Sequence, residues 1–145
     1  MPDIIEVTPN GQYYPQVLKL RYISFFQEYG LPEAVVQDQL ELRSRHFALV
    51  EHSRVVACGR LTNIDYAVYK ISQMAVSAEK QRLGLGSALL KSIISAAQHS
   101  GGDKIVLNAR IPCVPFYRKH GFFESGKIFL SATTKLPHQP MMSRV

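Results

Sequence analysis

Cysteine is scarce: the 145 residues hold only two, Cys58 and Cys113, too few for a disulfide framework. Neither has a cysteine or histidine neighbour at a short metal-type spacing, so no metal is expected and reduced cytoplasmic thiols fit best. No stretch approaches the roughly 20 apolar residues of a membrane span. The start, Met1-Pro2-Asp3-Ile4-Ile5-Glu6, has no basic region ahead of an apolar one. A soluble cytoplasmic protein without a membrane partner is expected. Repeats, low-complexity segments and long charge runs are also missing, which confines expected disorder to the ends.

What is present suits one well-cored domain over 1–145, with 46% apolar residues and a formal net charge of +6. The charge favours an anionic partner. Its basic residues are scattered and match no nucleic-acid module, so nucleic acid is not the expected partner and a phosphorylated ligand explains the sign more simply.

Hydrophobic periodicity divides the chain. Residues 2–8 read as a strand ended by Pro9-Asn10-Gly11, and Val17, Leu18, Tyr22, Phe25 and Phe26 mark a helix from Pro15 to about Tyr29, stopped by Gly30. A second helix is expected after Pro32, running toward Leu42. The period then falls to two: His46–Glu51 and Arg54–Leu61 predict a hairpin turning at His52-Ser53, with Val68–Ser77 as the third strand of the meander. A helix over 84–99, a strand over Lys104–Ala109, a short helix over Val114–His120 and a strand from Phe122-Phe123 follow. The last strand, His138–Arg144, contains Pro140, which lacks an N–H and points to an edge or a bulge. Such an edge could pair with a second copy, giving a homodimer. The expected class is α+β: a mixed, mostly antiparallel sheet of about six or seven strands flanked by about four helices.

The sharpest chemical signal is Gln81-Arg82-Leu83-Gly84-Leu85-Gly86-Ser87, between an alternating strand and an amphipathic helix. Glycines at a helix head let a ligand reach backbone N–H groups that lack helical partners, and the helix dipole favours an anion there. Lys80 and Arg82 add full charges. A Walker loop would need Gly-Lys-Ser/Thr, and a dinucleotide fingerprint a third glycine; both are missing. The blander alternative is a tight turn beside solvated charges.

This stretch resembles the acyl-CoA signature of the GNAT N-acetyltransferase family, Gln/Arg-x-x-Gly-x-Gly/Ala, filled in register by Gln81, Gly84 and Gly86. Phe116-Tyr117-Arg118-Lys119-His120-Gly121-Phe122 and the order of elements resemble the same family. The outer segments, Leu20-Arg21-Tyr22 through Leu31-Pro32 and Leu136-Pro137-His138, are similar to its ElaA-like and YjcF-like branch. The resemblance implies the GNAT acyl-CoA N-acyltransferase fold, acetyl-CoA as cosubstrate, and direct acetyl transfer to a primary amine on a small-molecule or peptide acceptor. It implies a cofactor site at Met74, Ala75, Val76, Gln81, Arg82, Leu83, Gly84, Leu85, Gly86, Ser87, Asn108 and Tyr117. Tyr117 matches the family's general acid. Glu28 leads the candidate bases, with Asp38, Glu41 and His46 also able to act directly or through water, and Asp38, Glu41, His46 and His138 are candidates for binding the acceptor. The alternative is a catalytically silent acyl-CoA-binding module, which predicts binding without transfer.

Overall fold

In a computed structural model describing residues 2–145, the chain forms eight strands and three α-helices. They run β1 (Asp3–Val7), α1 (Tyr14–Phe25), β2 (Arg45–Glu51), β3 (Arg54–Asp65), β4 (Val68–Val76), α2 (Leu85–His99), β5 (Lys104–Arg110), α3 (Val114–Lys119), β6 (Phe123–Glu124), β7 (Phe129–Leu130) and β8 (Pro137–Arg144). All strands share one sheet in the order β1-β2-β3-β4-β5-β8-β6, with β7 also on β8. Only β4 and β5 are parallel, as the intervening helical crossover requires.

Strand parity sorts the side chains onto two faces. Phe47, Leu49, Leu61, Ile71, Ile105 and Leu107 pack with Leu89, Leu90 and Ile93 of α2, together with Val114 of α3. Ala48, Val50 and Cys58 pack on the other face against Tyr14 and Val17 of α1. The β2–β3 hairpin turns at His52 and Ser53, both left-handed at φ 51° and 61°, a geometry whose twist matches the strands it joins.

Several expectations are corrected. The second helix does not form; short 3-10 turns at Glu33–Val36 and Glu41–Arg43 replace it. Gln37 is extended, Asp38 Oδ1 accepts from Leu40 N at 2.9 Å, and the Arg21 guanidinium takes the Val36 carbonyl. Asp38 thus competes for backbone groups that a helix would need. The first helix ends at Phe25 and gives way to another 3-10 turn before Gly30 at φ 67°. β3 outruns its apolar signal by four polar or exposed residues because β4 continues to pair with it.

β8 is not an open edge. β5 flanks it from His138 to Arg144, β6 and β7 cover two stretches of the other side, and Pro140 falls in the gap between those two. The outer strand there is the two-residue β6, a poor template for pairing with another copy.

Candidate active site

β4 and β5 run together for only three residues, Val68–Lys70 against Lys104–Val106, and then separate although both continue. Within the diverging part, Gln73 is left-handed at φ 56° and the β3 register slips between Cys58 and Arg60. This bulge turns Met74 toward α2, where a Cβ on Gly59 would strike Met74 Sδ and Ile93 Cδ1. Alternate β4 peptide groups between Ile71 and Val76, those not bonded to β3, therefore face a gap where β5 would otherwise pair. Unpaired strand amides are a template for an extended, amide-bearing ligand.

The end of β4 leads into the glycine loop. Gln81 Nε2 donates to the Val76 carbonyl at 3.1 Å and ties the loop to the strand. Arg82 at φ 66° and Gly84 at φ 81° are left-handed, and Ala88 N makes the first α2 hydrogen bond, to Gly84 O at 3.1 Å. The preceding N–H groups of Leu85, Gly86 and Ser87 lack an upstream helical carbonyl and point out of the helix. A Cβ at Gly84 would meet nothing within 4 Å, so the space over that glycine is open, while Gly86 packs against Val76 and Phe116. These residues fit a pyrophosphate: exposed glycine, free amides, the positive helix end and exposed Arg82. Lys80 is less available, because its Nζ lies 2.6 Å from Glu51 Oε1.

A cavity of about 350 Å³ occupies the gap between β4 and β5. Met74, Cys113 and Tyr117 line one part of it; Asp38, Arg60, Lys70, Asn108, Arg110 and His138 line another. Register puts Arg60, Lys70 and Ser72 on the α1 face, so the cavity passes through the sheet from the α3 side to the α1 side. Tyr117 packs edge-on against Phe116 and Phe122, and burial pushes its phenol above its ordinary value. It stays protonated across physiological pH and can donate. Asn108 is exposed at the cavity, paired in register with Pro140.

The acceptor-side candidates separate. His138 stacks on Phe129 with centroids 5.8 Å apart, and Asp38 is held by Arg60 at 2.8 and 3.0 Å. Burial acts to raise the Asp38 carboxyl, but the Arg60 hydrogen bonds and charge outweigh it and leave it below the usual range. Glu41 and His46 do not line the cavity; both lie behind Arg60, 3% and 1% exposed. Glu41 accepts from Arg21 at 2.8 and 2.9 Å, from Arg60 at 2.9 Å and from the Tyr14 hydroxyl. Desolvation works against its charge, yet the Arg21 and Tyr14 hydrogen bonds hold the carboxyl at about 2. Burial lowers His46 despite Glu41, leaving the imidazole neutral. Glu28 is exposed in the turn after α1 and outside the cavity.

Arg60, Lys70, Ser72 and Arg110 were not singled out from the sequence. Parity on the strands carried a faint signal, since each is a polar residue in an otherwise apolar stretch of strand. Among the described residues, no group of three or more His, Cys, Asp or Glu is placed to hold a metal ion.

Known proteins share this architecture. The family model described as the acetyltransferase (GNAT) domain matches residues 15–144. The uncharacterized N-acetyltransferase YjcF of Bacillus subtilis is 30% identical over 94% of this chain and 96% of its own. The crystal structure of Escherichia coli ElaA superposes with a TM-score of 0.85 at 20% identity, covering 99% of both chains. A GNAT family acetyltransferase from Elizabethkingia anophelis, solved with acetyl-CoA bound, gives 0.77 at 17% identity over 99% of this chain and 98% of that one. With a diverging β4/β5 pair, an open glycine turn at α2 and a match along nearly its whole length, the chain belongs to the GNAT family and is an acetyltransferase.

Proposed function

We propose that the protein binds acetyl-CoA with its pyrophosphate on the α2 turn, Arg82 to Ser87, and its pantetheine arm along the free edge of β4. The acetyl group then passes directly to a primary amine in the cavity. The observation that carries this reading is the gap after Lys70, which leaves β4 amides unpaired beside a helix N-terminus that is open at Gly84.

The amine nitrogen attacks the thioester carbonyl, a C–N bond forms, the C–S bond breaks, and one N–H proton ends on sulfur. Backbone N–H groups of Met74 to Val76 facing the gap stabilise the oxyanion. Tyr117 donates a hydrogen bond to the departing sulfur and relays the proton. Asn108, on the opposite arm, orients the pantetheine amide. Asp38 and His138 sit on the acceptor side.

Among the described residues, Asp38 is the one carboxylate in the lining, and Arg60 keeps it ionised and weakly basic. The acceptor therefore loses its proton to water at the open mouth, helped by the cations nearby, which disfavour a second positive charge. Cys58 is buried, its thiol pushed up to about 12, and the Cys113 thiol is likewise raised by desolvation, so neither is poised as a nucleophile for a covalent intermediate. An exposed free thiol at Cys113 suits a reducing cytoplasm. No helix among the described residues is long and apolar enough to cross a membrane.

The test is calorimetric titration with acetyl-CoA together with thiol release across an amine panel. Binding with amine-dependent release supports the proposal. Binding without release to any amine leaves the silent module, and no binding removes both.

A further inference from the structure

The acceptor half of the cavity carries an excess of positive charge that the transfer chemistry does not use. Its lining contains Arg60, Lys70 and Arg110 but only one carboxylate, Asp38. Asp38 is taken by Arg60, with contacts of 2.8 and 3.0 Å, and Arg60 and Arg21 share Glu41 behind the cavity wall. Those two arginines and two carboxylates balance, and the buried His46 adds no charge. Lys70 and Arg110 are left over.

Among the described residues, neither has a carboxylate within ion-pairing distance; Arg110 only reaches the Tyr29 hydroxyl, at 3.4 Å. Both lie on the sheet face of Asn108 and Ser72, by strand parity, and Arg110 stands opposite His138 on β8. The nearby walls are mixed: Phe25, Phe26, Val35, Phe129 and Leu136 alternate with Ser131, Thr133 and Thr134.

Two unpaired cations in a cavity of about 350 Å³ repel polycationic acceptors and leave their own donors open to a ligand anion. Arginine offers a planar fork that matches a carboxylate bidentately. The volume, within the roughly 300–1,000 Å³ of small-molecule sites and shared here with the acetyl end of the donor, limits the acceptor to a small molecule. Resting on the transfer reading above, we infer that the acceptor is a small amino acid, its carboxylate held by the Arg110 fork with Lys70 adding to the positive field, and its amine directed at the gap between β4 and β5.

Two measurements test this. The first compares kcat/KM for L-leucine, L-leucinamide and isoamylamine, which share a side chain and differ in the anion. The second needs no turnover: it compares binding of N-acetyl-L-leucine and N-acetyl-L-leucinamide to the coenzyme-A-loaded protein. A charge-assisted contact predicts a preference for the acid of roughly 10- to 100-fold in each. Arg110→Gln and Lys70→Met should each shrink that preference, with the KM for acetyl-CoA and the unfolding midpoint unchanged.

Equal or better performance of the amides in the binding comparison overturns the inference. So does a rise in KM for acetyl-CoA, and not for the amine, in the two variants, since the cations would then serve the donor. If the amide or isoamylamine is the better acceptor, transfer stands and the carboxylate site falls. If no amine releases thiol, the transfer reading falls, and the product-binding comparison still decides whether the carboxylate site exists.

Discussion

Replacing Glu41 with glutamine removes one negative charge from a place where two arginines are almost wholly out of water. Arg21 and Arg60 are 1% and 2% exposed and both bond to this carboxylate. The glutamine keeps the shape but turns an N–H₂ toward the guanidinium fork, so one lost charge leaves opposed donors as well as an uncompensated cation. With the Glu41 carboxyl at about 2 against an ordinary 4.5, its charged form contributes about 3 kcal/mol at roughly 1.4 kcal/mol per pH unit. That agrees with the roughly 3–5 kcal/mol lost when one partner of a buried pair is removed. For a chain of this size the melting point should fall by roughly 10 °C.

The sign of the pH dependence follows. The folded carboxyl lies below its unfolded value, so the stabilisation is complete above about 4.5 and drains away as the pH falls toward 2. Urea unfolding of both proteins from pH 7 to pH 3 measures it. The gap between the two curves should be widest at pH 7 and narrow below pH 4.5. A loss under about 1 kcal/mol at pH 7, or parallel curves throughout, would refute the account of this cluster. Because Arg60 also holds Asp38 at the cavity, the variant should weaken acceptor binding more than acetyl-CoA binding.

Tyr117→Phe keeps the ring packing against Phe122 and removes only the proton donor; kcat in a thiol-release assay should fall on the order of 100-fold with KM for acetyl-CoA unchanged. Gly84→Val places a branched side chain at φ 81°, at a cost of roughly 1–2 kcal/mol, and over the turn where the pyrophosphate would lie. Its KM for acetyl-CoA should rise at least about tenfold while kcat at saturation holds, by the loss of the backbone anion site. Thiol labelling at pH 8 should modify Cys113 alone until urea exposes Cys58, acetyl-CoA should slow it, and Cys113→Ala should retain activity.

The proposed donor half could be marked out in the sequence because local rules wrote it. A glycine turn before a helix, an alternating strand ahead of it and Tyr117 on the next short helix each depend on neighbours within a few residues. The acceptor half could not be, since its residues come from separate elements: Asp38 from a loop, Arg60 from β3, Lys70 from β4, Arg110 from β5 and His138 from β8. Glu41 and His46 show the difficulty. Both look like surface polar residues in the sequence, and only the arrival of Arg21 and Arg60 beside Glu41 makes its burial affordable.

Periodicity alone determined most strands, α2 and the order of the elements, because a hydrophobic period of two or of 3.6 is a property of a single segment, whereas the buried face of α1 includes Arg21 and needed its partners. The tertiary structure decided where β4 leaves β5, how Gln73 adopts a left-handed backbone inside a strand, and why residues 33–43 make 3-10 turns. Those outcomes balance the pairing of one segment against contacts offered by distant ones. Charge completes the division: the total of +6 was in the composition, but which two cations remain unpaired in the cavity depended on how the chain brought the others to their partners.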